Sequence, residues 1–233
     1  KNEVDIRFAM CFPDVYEIGM SNLGMMILYN MFNQREDVWC ERLFSPWPDL
    51  DKVMREQNIP LFALESQEPI RDFDFLGITL GYEMCYTNIL QVLDLSGIPL
   101  KSADRGEDFP IVIGGGACAY NPEPLAPFFD MFYIGEGETV YDALFDAYKA
   151  NKKAGGSRKD FLLAAAKIPG IYVPSLYEVT YKEDGTIESF HPTCEGVPEK
   201  IEKQLIIDMD KDYNNLEAPV VPHIKATQDR VTL

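Results

Sequence analysis

Over residues 1–152, short apolar runs alternate with stretches in which apolar positions recur every three or four residues. That alternation predicts parallel strands joined by crossover helices. Residues 6–12 form a compact apolar run ending at Pro13-Asp14, a strand followed by a loop. Ser21 then reads as the cap of a helix carrying Leu23, Met26, Ile27, Tyr29 and Met31 and reaching Phe32. Residues 38–43 suit a second strand, 48–57 a helix with Leu50, Val53 and Met54 on one side, and 60–64 a short further strand. The cleanest buried strand is 73–80, followed by a helix over 87–96. Residues 111–113 run straight into Gly114-Gly115-Gly116, and 131–134 into Gly135-Glu136-Gly137-Glu138 and a helix from Thr139 to Lys149. Five or six strands with intervening helices predict a doubly wound α/β domain, Rossmann-like or flavodoxin-like, with a mainly parallel sheet.

The pattern changes after Lys152. Lys153-Ala154-Gly155-Gly156 reads as a break, and Ser157 as the start of a Leu- and Ala-rich helix to Lys167. Residues 177–181 and 186–190 alternate in polarity around Glu183-Asp184-Gly185, a hairpin signal. Residues 201–207 and 218–222 read as connecting structure. The expected organisation is thus an α/β domain over 1–152 and a smaller α+β extension over 153–233.

Composition narrows the function classes. The 233 residues, 46% hydrophobic, suffice for one good core and a small appendage. No stretch approaches the ~20 apolar residues of a membrane span. With 21 basic against 38 acidic residues the net charge is −17, a poor match to phosphate-neutralising surfaces, so no nucleic-acid partner is expected. An ordinary acidic surface accounts for the charge; a basic substrate or partner is the other reading. Cys11, Cys40, Cys85, Cys118 and Cys194 are odd in number and widely spaced, which reads as reduced thiols in a cytoplasmic protein. With only His191 and His223 besides, no side-chain metal site is expected. The chain opens on Lys1-Asn2-Glu3-Val4-Asp5, neither Met nor a secretory leader, which reads as a start inside a longer protein.

In an open parallel sheet, ligands bind beyond the carboxyl ends of the strands near the point where strand order reverses. Four segments end strands there: 13–19, 79–83, 114–117 and 135–138. Three consecutive glycines let the backbone approach a ligand and aim N–H groups at an anion; a merely tight turn is the plainer reading. Gly135-Glu136-Gly137-Glu138 opens a helix, where Glu138 complements the dipole. Neither segment is G-x-x-x-x-G-K-[ST] or G-x-G-x-x-G, which removes the main support for triphosphate and dinucleotide readings.

Together these loops resemble a known family. Asp14-Val15-Tyr16-Glu17-Ile18-Gly19 is similar to the Asp-x-His-x-x-Gly loop of cobalamin (B12)-binding domains, with tyrosine in the histidine's place. Leu76-Gly77-Ile78-Thr79-Leu80 resembles their strand-end serine signature, Thr79 keeping the hydroxyl, and Ile113-Gly114-Gly115-Gly116 their Gly-Gly signature. The run from Gly114 through Asn121-Pro122-Glu123-Pro124, Asp130 and Gly135-Glu136-Gly137-Glu138 resembles the amino-terminal domain of B12-binding-type radical-SAM proteins, an Fe–S oxidoreductase family. So do Tyr82-Glu83 and Asp94-Leu95-Ser96-Gly97-Ile98-Pro99. Gln228-Asp229-Arg230-Val231-Thr232-Leu233 resembles the strand leading into that family's Cys-x-x-x-Cys-x-x-Cys loop.

The resemblance implies a module that positions cobalamin or substrate for radical chemistry in a following barrel of the same polypeptide. The 4Fe–4S cluster and S-adenosylmethionine would belong to that barrel, because no cysteines here have the cluster spacing. It further implies Thr79 and Gly81 along the nucleotide tail, and Gly114, Gly115 and Gly116 as its cradle. Asp14, Tyr16 and Gly19 would lie beneath the corrin, with Gly135 and Glu136 at the rim. A phenol must lose a proton of pKa ~10 before it ligates well, so no strong protein ligand to cobalt is expected.

Two other readings stand beside this one: a cofactor-free module of the same fold serving interaction or substrate presentation, and an independent flavin or nucleotide binder. Asp14, Glu17 and Glu83 tempt as an acid/base set but suit caps and loop contacts. Met20, Met25, Met26 and Met31 suit core filling. Trp39 and Trp47 suit packing, and His191 and His223 structural or exposed positions.

Overall fold

Strand β1 (Ile6–Phe12) has no polar face: Phe8, Met10 and Phe12 are buried on one side, Ala9 and Cys11 on the other. Such a strand must lie inside a sheet covered by helices on both faces. In a computed structural model, which describes residues 3–208 and 220–222, it does. β1 pairs in parallel with β2 (Val38–Phe44) and β3 (Phe75–Thr79). β4 (Ile111–Gly115) and β5 (Met131–Tyr133) continue the parallel series, and β6 (Ile171–Tyr172) closes it antiparallel. The order is β2-β1-β3-β4-β5-β6, a doubly wound sheet of flavodoxin-like sequence in which strand order reverses between β1 and β3.

Helix α1 (Tyr16–Gly19) is a single turn, and α2 (Leu23–Asn33), α5 (Tyr141–Lys153) and α6 (Arg158–Ala165) cover one face. Met25, Phe32, Tyr141, Phe145 and Phe161 join Phe8 and Phe75 there. α3 (Pro48–Gln57) and α4 (Tyr86–Leu95) cover the other, where Met54, Ile89 and Val92 meet Ala9, Leu76 and Val112. The chain beyond Lys153 thus continues onto the same sheet. Arg158 of α6 and the fully buried Arg105 converge on Asp130, at 2.7 and 3.0 Å. The same carboxylate accepts the Val112 N–H at 2.7 Å. β7 (Tyr177–Tyr181) and β8 (Ile187–Pro192) form the separate hairpin, with Gly185 at φ 81° in the turn.

Several local expectations shift. The cap of α2 is Asn22, whose side chain accepts the Met25 N–H at 2.9 Å; Ser21 instead donates to the Glu17 carbonyl and closes α1. Residues 60–64 do not form a sheet strand. Pro60 has no N–H, and Leu61 and Leu64 donate to Leu95 and Arg42 carbonyls as the segment turns over the β2 edge; one isolated bridge, Phe62 to Pro69, remains. The two-residue β6 was not foreseen. Met54 is buried as expected on α3, but Leu50 and Val53 are 47% and 48% exposed. His191 is exposed on β8. The resemblance carried by Gln228–Leu233, His223 and the 218–219 part of the Pro-rich segment lie outside the described residues.

Candidate functional site

Because successive strand residues face opposite sides of a sheet, the pleat sorts the glycine loops before any ligand is considered. β3 and β4 run in register, with Ile78 beside Gly114 and Thr79 beside Gly115. Thr79 and Gly115 face the α2–α5 layer. Gly114 faces the α4 layer, where a Cβ would lie 2.9 Å from Leu80 and Phe132.

A pocket of about 160 Å³ opens on the α2–α5 side at the carboxyl ends of β1, β3, β4 and β5. Met10, Thr79, Gly115, Gly116, Tyr133 and Gly135 line it, with Met25 and Leu28 of α2 and Tyr141 of α5 as further walls. The glycines serve different ends. At Gly115 a Cβ would meet nothing closer than the Tyr133 carbonyl at 4.0 Å, so the missing side chain is open pocket space. Gly116 has φ 109°, and a Cβ there would press on the Leu80 carbonyl at 3.0 Å; the turn itself requires glycine. Beneath the pocket, Gly77 is required by packing, because any Cβ would overlap the Phe8 ring.

Gly135 and Glu136 answer to a segment that the sequence did not single out. Gln204 lies alongside them in a parallel bridge, donating to the Ile134 carbonyl and accepting from the Glu136 N–H, each at 3.1 Å. Gly135 has φ 142°, and a Cβ would sit 2.5 Å from the Gln204 carbonyl oxygen. The Glu136 carboxylate accepts the Ile206 N–H, and the Tyr133 hydroxyl donates to the Glu136 carbonyl at 2.6 Å. Nothing in the polarity of residues 201–207 marks this return; it is a tertiary contact.

The remaining expected residues lie elsewhere. Asp14 accepts from the Val15 N–H at 2.7 Å and from the Tyr82 hydroxyl, tying the β1 loop to the β3 loop. That hydrogen bond, with some burial, pushes the Tyr82 pKa up to about 12. Gly19 packs α1 onto Phe44, whose ring a Cβ would overlap, and Gly81 is exposed with no neighbour in its Cβ direction. Tyr16 stands edge-on to Phe44 at 5.3 Å between ring centres and lines a second, larger cavity.

That cavity, about 570 Å³, opens on the opposite face at the tip of β2. The α1 loop gives it Val15, Tyr16 and Glu17, the end of β2 gives Phe44 and Ser45, Trp47 stands just before α3, and α3 gives Asp49 and Leu50, with Phe62 and Leu64 beyond. Trp47, expected to pack, is 64% exposed, and Trp39 38%, its indole N–H donating to Glu41 at 3.0 Å. The exposed apolar residues on α3 were the sequence signal for this groove.

Among the described residues no group of three His, Cys, Asp or Glu side chains is arranged to hold a metal ion. All five cysteines are free. The 160 Å³ pocket is smaller than the ~300–1,000 Å³ of sites that enclose a whole small molecule.

Fold and pocket define a doubly wound α/β domain with a glycine-lined pocket at the carboxyl ends of its parallel strands. Residues 24–174 match the family described as "Radical SAM proteins, N-terminal", and the chain belongs to that family. An uncharacterized protein of Methanocaldococcus jannaschii is 28% identical over 131 residues, which are 56% of this chain and 24% of that protein. A solved structure of the radical S-adenosylmethionine methyltransferase TsrM from Kitasatospora setae, with tryptophan substrate and a SAM analogue, aligns at TM-score 0.42 and 14% identity. That alignment covers 77% of this chain and 29% of the methyltransferase. The chain therefore spans less than a third of either protein's length. No helix among the described residues is long and apolar enough to cross a membrane.

Proposed function

We propose that this domain is the N-terminal positioning module of a radical-SAM iron–sulfur enzyme and that its pocket holds the nucleotide tail of a cobalamin-type cofactor. The observation that carries the reading is the convergence of Thr79, Gly115, Gly116 and Gly135 on one narrow pocket at the carboxyl edge. The open space over Gly115 fits a flat ring, and Thr79 brings a hydroxyl to the same pocket. When bound, such a cofactor supplies the cobalt chemistry itself, and the protein's part is orientation and electrostatics.

Tyr16 belongs to the other cavity, so on this reading it is not a ligand for the metal. Met25, Leu28 and Tyr141 wall the pocket on the helix side and keep water from the buried arm. The 4Fe–4S cluster and S-adenosylmethionine belong, on this reading, to a catalytic domain of the same polypeptide. Five free thiols suit a reducing cytoplasm.

A second reading, a cofactor-free presenting module, draws support from Gly135 and Glu136, whose backbone and carboxylate are already engaged by Gln204 and Ile206. Titrating the purified chain with hydroxocobalamin while following the visible spectrum separates the two. Saturable binding at tens of micromolar supports the first reading; a spectrum that never departs from free cofactor overturns it.

A further inference from the structure

The groove beside α3 takes no part in the proposed cofactor reading, and its chemistry differs from the pocket's. Four large apolar side chains that face solvent converge on it: Tyr16 at 39%, Trp47 at 64%, Leu50 at 47% and Leu64 at 39% exposed. Exposed apolar groups scattered singly are ordinary, but several gathered in one concavity mark a contact surface. Phe44 and Phe62 add aromatic faces below them.

Among the described residues, the charged side chains in the lining are Glu17 and Asp49, and no lysine or arginine lines the cavity. Aromatic faces beside carboxylates favour a cation on an apolar stem. The chain's net charge of −17 points the same way, since it repels a second copy of the chain and an anionic lipid surface alike. With Trp47 64% and Leu50 47% exposed at its rim, an occupant that covers them brings apolar side chains of its own.

We propose that this groove is a docking site for a basic amphipathic polypeptide segment. In that segment bulky apolar side chains cover Trp47 and Leu50, and a lysine or arginine lies over the aromatic faces beside Glu17 and Asp49. Trp47 is the anchor, being the largest and most exposed of the lining aromatics and of a residue type that dominates binding energy at interfaces.

The test uses the purified chain and three fluorescein-labelled synthetic peptides read by anisotropy. The first alternates Lys with Leu and Phe, the second carries Glu for each Lys, and the third keeps Lys but has Ser for each apolar residue. The expected result is saturable binding of the first alone, weakened about ten-fold or more by Trp47→Ala and by Leu50→Ser. Both variants should keep the wild-type melting temperature, because these side chains are exposed. Gly115→Val, which fills the cofactor pocket on the other face, should leave peptide affinity unchanged, so failure of the cofactor reading leaves this one standing. Equal binding of the Lys/Ser peptide, or undiminished affinity in both groove variants, overturns the proposal. So does Trp47-dependent dimerisation in sedimentation, or Trp47-dependent binding to anionic vesicles.

Discussion

The glycine-lined pocket and the aromatic groove lie on opposite faces of one sheet edge and are made by opposite means. The pocket exists by omission: Gly115 leaves out the side chain that would fill it, while Met25, Leu28 and Tyr141 close round the gap. The groove exists by projection, with Trp47, Leu50 and Tyr16 standing out from α1 and α3 into solvent. A site of omission is lost by adding a methyl or two, and a site of projection by taking side chains away. Both hang on one frame, so a lesion in the frame must damage them together.

That common dependence gives the largest expected effect. Asp130→Ala leaves the buried Arg105 and the nearly buried Arg158 without their shared carboxylate. Urea unfolding should show a loss of about 3–5 kcal/mol, the usual result of stranding buried charge. Loss within a few tenths of a kcal/mol would mean the sheet and α6 are held by apolar packing alone.

Glycine substitutions then separate omission from packing. Gly77→Ala and Gly114→Ala drive a methyl into Phe8 on one face and into Leu80 and Phe132 on the other, and each should cost about 1–3 kcal/mol. Gly115→Ala has open space before it and should stay within ~0.5 kcal/mol of wild type. If all three cost the same by denaturant melts, Gly115 is a packing glycine and the pocket loses its rationale.

A smaller effect concerns the segment at the pocket's rim. Glu136→Ala removes the acceptor for the Ile206 N–H, and hydrogen exchange at that amide should quicken about ten-fold, as for the loss of one charge-assisted bond. Unchanged exchange would assign the bridge to Gln204 alone.

The smallest is electrostatic. Hydrogen bonds from Arg35, and then from Lys149, hold the Asp37 carboxyl well below the usual carboxylate range, linking the loop between α2 and β2 to α5. A depressed folded pKa means the stabilisation is complete above the ordinary value of ~4 and disappears as pH falls below it. Asp37→Asn should therefore flatten the acid limb of the stability–pH profile and leave the neutral and alkaline limbs parallel to wild type.

The fold was legible because β1, β3 and β4 are apolar on both faces and separated by helical periodicity, which admits little besides a covered parallel sheet. The pocket was legible in its parts, since Thr79 and Gly115 end strands. That Gly114 faces the other layer follows from the pleat once the register of β3 and β4 is known, and register is a tertiary fact. Gln204 beside Gly135 joins residues far apart in sequence with no shared pattern. The α2 cap fell one residue later than expected because Ser21 and Asn22 are both good caps and the single turn α1 claims the serine. Leu50 and Val53 misled for a general reason: an apolar helix stripe states that something covers it, and the covering need not come from the same domain.

Isothermal titration with hydroxocobalamin and with cobinamide, the same corrin lacking the nucleotide tail, bears most directly on the pocket. The account predicts saturable binding of the tailed form, affinity for the tailless form at least ten-fold weaker, and abolition of the tailed interaction by Gly115→Val. Equal affinities for the two corrins, or binding untouched by the valine, would contradict it.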